Sequence, residues 1–224
     1  MVARQLFDDW PDRYNCWFET PVGKAVLRYE SELVLDLLRP APGELILDAG
    51  SGTGLFTREF LRRGAKVAGI DISFAMLRRA QECAASYPHR WAAADMACLP
   101  FADGTLDKTV SIAALEFIAD ARRAVAELFR VTRRGGIVVV ATLNSLSPWA
   151  DRRLADARRD PESIFRRVVF RSPAQLLEAA PVAGIVRTAI HFGKEDNPGE
   201  FARIERERRG RDTGAFVAAR WEKS

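Results

Sequence analysis

The chain of 224 residues is short of several things, and each shortage excludes a class. No apolar run approaches the roughly 18 residues that a membrane-spanning helix needs. The opening MVARQLFDDW has no apolar signal-peptide core, so a cytoplasmic location is expected. Cysteine is limited to Cys16, Cys83 and Cys98, scattered and without metal-ligand spacing. Buried thiols in a reducing compartment are the simple expectation, with a three-thiol site as the sharper alternative and no metal centre expected. The two histidines, His89 and His191, stand far apart, and core or surface roles are the default for both. Lysine supplies only five of the 34 basic residues, so the modest net charge of +4 is carried almost wholly by arginine.

What is present suits one soluble domain with an appended cap. Hydrophobic residues make up 48% and charged residues 29%. The first forty residues are helical and aromatic in pattern, with a turn expected at Pro21–Gly23 and a helix from Val26 to Leu38. Apolar runs and amphipathic runs then alternate. Strands are expected at Leu45–Leu47, Lys66–Ile70, Trp91–Ala94, Leu106–Ile112 and Ile137–Ala141. Helices are expected at Leu55–Arg63, Ser73–Ser86 with Ser73 as N-cap, Ala119–Val131 and Pro173–Ala180. Continuous apolar strands between helices point to a parallel sheet covered on both faces. Two further strands are expected at Ile185–Phe192 and Ala215–Trp221, separated by a polar stretch longer than an ordinary hairpin loop.

The residues with most to say are ELILDAGSGTGLFTREFL, Glu44 to Leu61. Gly50, Gly52 and Gly54 lie where an apolar strand passes into an amphipathic helix. A dinucleotide fingerprint would place Gly or Ala at position 55, where this chain has Leu55. A phosphate-binding P-loop would end in Gly-Lys-Ser/Thr, which is absent. A ligand whose end at this turn is smaller than a pyrophosphate fits better. Asp71 closes the second strand 21 residues after Gly50, where a carboxylate can accept from both hydroxyls of a ribose. Asp95 and Met96 follow the third strand, where an Asp can accept from an exocyclic amine and a Met can lie against a base. In a doubly wound sheet these strand ends adjoin.

LILDAGSGTG, GIDIS, AAADMACLPFADGTLDKTVSIAALEFIAD and RVTRRGGIVVVATLN, in that order, resemble the successive motifs of class I S-adenosylmethionine-dependent methyltransferases. The nearest resemblance is to the methyltransferase type 11 group, which includes quinone-biosynthesis and small-molecule enzymes. It is strong over roughly Leu45 to Asn144. It implies an α/β fold: a doubly wound, Rossmann-like, seven-stranded, mostly parallel sheet with an antiparallel last strand and a small helical cap. It implies a single domain, with an N-terminal lid (1–40), a cofactor core (45–144), a cap insertion (145–172) and the C-terminal part of the sheet (173–224). It also implies S-adenosylmethionine as cofactor. Asp48 would open the glycine motif, and Gly50, Gly52 and Gly54 would admit the methionine moiety. Asp71 would take the ribose hydroxyls, with Ile72 and Met76 beside the adenine. Asp95 and Met96 would recognise the adenine, and Ala113 would meet the methionine end through its main chain. Tyr14, in RYNCWF, resembles a lid aromatic over the cofactor.

Methyl transfer asks the protein for alignment and exclusion of water more than for covalent chemistry. A base is needed only where the acceptor must lose a proton. Glu116, after the fourth strand, is the candidate base, with a cap or salt bridge to the next helix as the plainer reading. Relatives have His nearby, and this chain has none there. Asn144 and Ser145 suit a turn. Trp149 either lines an acceptor pocket or anchors the cap. The arginines of DRRLADARRDPESIFRRVVFR and RIERERRGR read as solvated helix faces, without the aromatic interleaving that stacks bases. The expected partner is a small-molecule acceptor. RNA or protein acceptors, and a regulatory module that binds the cofactor without turnover, are the rivals. Nucleic acid is disfavoured because neither an Asn/Asp-Pro-Pro-aromatic motif nor a Pro-Cys pair is present.

Overall fold

The computed structural model describes residues 4–85 and 89–224. Two helices, α1 (Pro11–Glu19) and α2 (Pro21–Leu38), precede β1 (Leu45–Ala49), α3 (Thr57–Leu61), β2 (Lys66–Asp71), α4 (Phe74–Cys83) and β3 (His89–Ala93). The chain continues through β4 (Leu106–Ile112), α5 (Ala121–Val131), β5 (Thr132–Leu143), α6 (Pro148–Arg159) and α7 (Pro173–Leu177). It ends with β6 (Gly184–Ala189), α8 (Phe201–Glu207) and β7 (Phe216–Glu222).

The strands form one seven-stranded sheet of order β3-β2-β1-β4-β5-β7-β6. β1 to β5 pair in parallel, and β7 runs antiparallel to both β5 and β6. Parallel strands covered on both faces must be apolar throughout, which is why Val138, Val139, Val140 and Ala141 of β5 are all fully buried. One core layer packs Val34, Leu37 and Leu38 of α2 and Phe60 of α3 against Ile46, Val110 and Val139. The other packs Val125 and Leu128 of α5, Leu176 of α7 and Trp221 against Leu47, Val138 and Val140. The order reverses between β1 and β4, so the carboxyl ends of those two strands diverge to open a crevice there.

Several details differ from the sequence expectation. Pro21–Gly23 is the first turn of α2, because Thr20 caps it by accepting from Gly23 N–H at 3.0 Å and Pro21 occupies the position where no N–H is required. β3 starts at His89 and ends at Ala93, two residues earlier and one earlier than expected. The polar stretch before β7 contains α8, whose Phe201 stacks on Phe192 at 3.9 Å. Cys16 and Cys98 are exposed and Cys83 is half-buried, so the expected buried thiols are not found. His191 is buried with a partner, its Nδ1 3.2 Å from Glu205. The expected helix end at Ser86 and the surroundings of the His89 side chain lie outside the described residues. Among those residues no helix is long and apolar enough to cross a membrane.

Candidate active site

A cavity of about 240 Å³ opens at the carboxyl ends of β1, β2, β3 and β4. Its floor is the end of β1 and the turn after it, where Asp48, Gly50 and Gly52 reach the wall. The three glycines of that turn all have positive φ but face different neighbours. A Cβ on Gly50 would lie 2.4 Å from the Cβ of Ala114, so this glycine lets the chain after β4 close over β1. A Cβ on Gly54 would press on Ala80 and the Trp91 ring at 3.3 Å. Gly54 thus packs against α4 and β3, behind the residues that line the cavity. At Gly52, with φ +54°, a Cβ would meet nothing within 4 Å. This is the glycine that leaves backbone bare towards open space.

The carboxylates are placed by backbone donors. Asp71 accepts from Gly52 N–H at 2.9 Å through Oδ2 and from Ser73 N–H at 2.8 Å through Oδ1. Ile72 N–H also bears on this carboxylate, and acceptor capacity remains on it. Burial raises the Asp71 pKa, and the backbone donors oppose that rise. Asp48 is fully buried and accepts from Thr57 Oγ1 at 2.5 Å, and burial lifts it to about 7. Asp95 is exposed, with Oδ1 held by Ala97 N–H at 2.8 Å, and Met96 beside it is buried. Ile72 is half exposed at the rim, and Met76, on the first turn of α4, is buried. Ser73 caps α4 as expected, accepting from Met76 N–H at 3.3 Å.

The fourth side is the loop after β4. Ala113 has φ +51°, a strained value for a residue with a side chain, and its N–H donates to Ala141 at 2.9 Å. Two N-terminal pieces complete the enclosure. Tyr14 of α1 lines the wall, and Gln5, Leu6 and Phe7 cover it. Phe7 meets Phe117 edge-to-face at 4.8 Å, and Ser73 Oγ donates to Asp8 at 2.7 Å. Tyr14 stands where the lid aromatic was expected, whereas the parts played by Gln5 to Asp8 were not foreseen.

Glu116 sits in a one-turn helix, Leu115–Phe117, and is buried, accepting from Thr142 Oγ1 at 2.9 Å. It neither lines the cavity nor caps α5, whose N-cap is Asp120. Burial raises it to about 7, with Arg153 and Arg171 opposing. Asn144 Oδ1 accepts from Leu146 N–H at 3.0 Å, the expected turn role, and its Nδ2 donates to the Asp212 and Gly214 carbonyls at 2.7 Å, tying the turn to the segment before β7. Trp149 is buried and donates to Phe192 O at 2.7 Å, so it anchors the cap.

Residues 47–140 match the family described as Methyltransferase domain. A malonyl-acyl-carrier protein O-methyltransferase of Serratia marcescens is 29% identical over 76% of this chain and 74% of its own length. A demethylmenaquinone methyltransferase of Thermobifida fusca is 35% identical over 63% of this chain, which spans only 61% of that protein. Among solved structures, an S-adenosylmethionine-dependent methyltransferase of Thermotoga maritima, titled a possible histamine N-methyltransferase, aligns with a TM-score of 0.74 at 22% identity, covering 97% of this chain and 98% of that one. The 4+2 cyclase SpnF also aligns, with a TM-score of 0.63 at 18% identity over 90% of this chain and 82% of its own. At these identities the structures speak for the fold, which hosts more than one reaction. Fold, motif order and the family match over residues 47–140 agree, and each points to the class I S-adenosylmethionine-dependent methyltransferases.

Proposed function

We propose that this protein transfers a methyl group from S-adenosylmethionine to a small-molecule acceptor. The observation that carries the reading is the convergence of four strand ends, with Gly52, Asp71, Asp95 and Ala113, on one cavity at the sheet's switch point. The residues fit the cofactor. The space over Gly52 suits the amino-acid end, and the remaining acceptor capacity of Asp71 suits ribose hydroxyls. Ile72, Met76 and Met96 offer an apolar slot for the adenine, with Asp95 at its rim and Tyr14 and Ala113 at the methionine end. Asp48 ties the turn to α3 through Thr57. The bound cofactor would supply an activated methyl on a sulfonium. The chain's residues would hold it, keep water out and present the acceptor.

In this reading residues 1–40 form the lid, 45–144 the cofactor core, 145–172 the cap and 173–224 the C-terminal part of the sheet. Glu116 acts from behind the cavity wall rather than on it. A small acceptor is favoured over RNA by the enclosed cavity and the missing nucleic-acid methyltransferase motifs rather than by charge, since Arg158, Arg159 and Arg167 of the cap are exposed while two others are engaged within the protein. Arg152 pairs with Glu195 at 3.1 Å and Arg153 lies over Trp149 and Phe165.

The test is calorimetric titration with S-adenosylmethionine, followed by incubation of methyl-labelled cofactor with a metabolite extract and with RNA. Saturable binding and label in a small-molecule fraction are expected. Asp71→Asn should weaken binding about ten- to a hundredfold, the loss of charge-assisted hydrogen bonds. Binding of a nicotinamide dinucleotide in place of S-adenosylmethionine would sink the reading.

A further inference from the structure

A second cavity, of about 830 Å³, lies between α2, the edge strand β6 and α8, and shares no lining residue with the cofactor cavity. Its size suits a small-molecule ligand. Arg28, Arg187, Arg206, Arg209 and Arg211 line it, coming from all three elements and the turn after α8. The segment RIERERRGR, expected as a solvated helix face, is helical only to Glu207, and Arg209 and Arg211 stand on the turn beyond. Most acids of the lining are already engaged. Glu32 holds Arg28 at 2.7 Å, Asp36 holds Arg187, and Glu205 faces His191 Nδ1 at 3.2 Å. Among the described residues Arg206, Arg209 and Arg211 make no ion pair, and Asp212 is the lining acid left without a cation.

The turn that carries Arg209 and Arg211 is tied to the end of the sheet. Arg211 O accepts from Thr188 Oγ1 and lies 3.3 Å from Nε2 of the buried His191. Arg208 Nη1 donates to His191 O at 2.9 Å, and Asn144 Nδ2 donates to Asp212 O at 2.7 Å. The Glu205 carboxylate accepts from the N–H groups of Ile190 and His191. Ile190 has φ +68°, a value that a β-branched residue adopts only where its surroundings compel it. A turn fixed this firmly, with its arginine side chains left unpaired, is a preorganised set of cations.

We propose that this cleft is a second ligand site and that it takes the di- or triphosphate group of a soluble small molecule. Guanidinium forks match phosphate oxygens in pairs, and three of them together favour a ligand with several charges over a single carboxylate. Asp212 opposes such a ligand, and the unpaired arginines outnumber it. They line a concave cleft rather than a flat face, which suits a soluble group better than a membrane or a duplex. A ligand held there would join α8 to α2 across the cleft.

The probe is inorganic triphosphate, titrated calorimetrically into the full chain at physiological ionic strength, with and without S-adenosylhomocysteine. One saturable site per chain is expected, with orthophosphate at least about tenfold weaker. Arg206→Gln, Arg209→Gln and Arg211→Gln combined should weaken triphosphate at least about tenfold and leave S-adenosylhomocysteine affinity unchanged. The three side chains are exposed, so the fold does not depend on them. Lysine at the same positions, which keeps the charge and loses the fork, should fall between. Absence of saturable binding, orthophosphate bound as tightly as triphosphate, or a triple glutamine variant that binds as well as wild type would overturn the proposal. So would duplex RNA, or phosphatidylcholine vesicles carrying phosphatidylinositol bisphosphate, held through these arginines more tightly than triphosphate. If S-adenosylhomocysteine binds and triphosphate does not, this site fails while the methyltransferase reading stands.

Discussion

At the scale of single residues, the three glycines of GSGTG do separate jobs. Gly50 yields to Ala114 and Gly54 to Ala80 and Trp91, while Gly52 alone opens onto free space. Gly52→Ala should therefore act twice. The left-handed backbone costs about 1–2 kcal/mol for a residue with a side chain. The new methyl also enters the space assigned to the cofactor. Thermal unfolding should show a small drop, and calorimetry a much larger loss of S-adenosylmethionine affinity. A variant that binds normally would mean that the turn does not meet the ligand. The motif residues were legible because strand ends and glycine spacing are local in sequence. The buried Glu30 and the half-buried Arg153, which lies over Trp149 and Phe165, were not singled out, yet each had a signal. Glu30 interrupts the stripe Val26, Val34, Leu37 at helical spacing, and Arg153 stands four residues from both Trp149 and Ala157. A charge on the buried face of an amphipathic helix needs a partner or a purpose.

At the scale of elements, strands were the easier part. Buried parallel strands are uniformly apolar and end at turn residues, so four of the first five were placed within two residues at each end. The fifth, β5, begins at Thr132, five residues before its apolar run, since Arg133 to Gly135 extend the strand at the sheet's end. Short helices were harder. α3 and α7 keep only five residues each, and α8 emerges from a stretch dominated by charge, held by Phe201 and Ile204. The cap helix α6 hangs on Trp149, through burial and its bond to Phe192 O. Trp149→Ala should cost about 3–5 kcal/mol, as truncation of a buried aromatic does. Urea unfolding will show it, and a loss under about 1 kcal/mol would mean that the cap is held elsewhere.

At the scale of the whole molecule, buried carboxyls tie stability to pH. Glu30 is raised to about 8, and Glu116 and Asp48 to about 7, each chiefly by burial. A raised pKa means that the folded chain binds more protons than the unfolded one. The stability these groups lend is complete below their unfolded values near 4 to 4.5, and is lost as pH rises through the folded values. Asp107 and Glu127, held low by Arg133 and Arg130, act in the opposite sense and below that window. The unfolding temperature should fall between about pH 5 and pH 8, and Glu30→Gln should flatten that fall. A flat wild-type profile would contradict the assignment.

The cavity's cover comes from the segment before α1 rather than from the sheet, and its two latches can open without disturbing the strands. Unlatching Phe7 from Phe117 and Asp8 from Ser73 would exchange spent cofactor for fresh while every strand end stays in register. The traffic of the ligand and the strength of its binding then have separate determinants. In stopped-flow measurements Asp8→Ala, which frees Ser73 without changing the cavity lining, should quicken arrival and departure together, leaving their ratio nearly as it was.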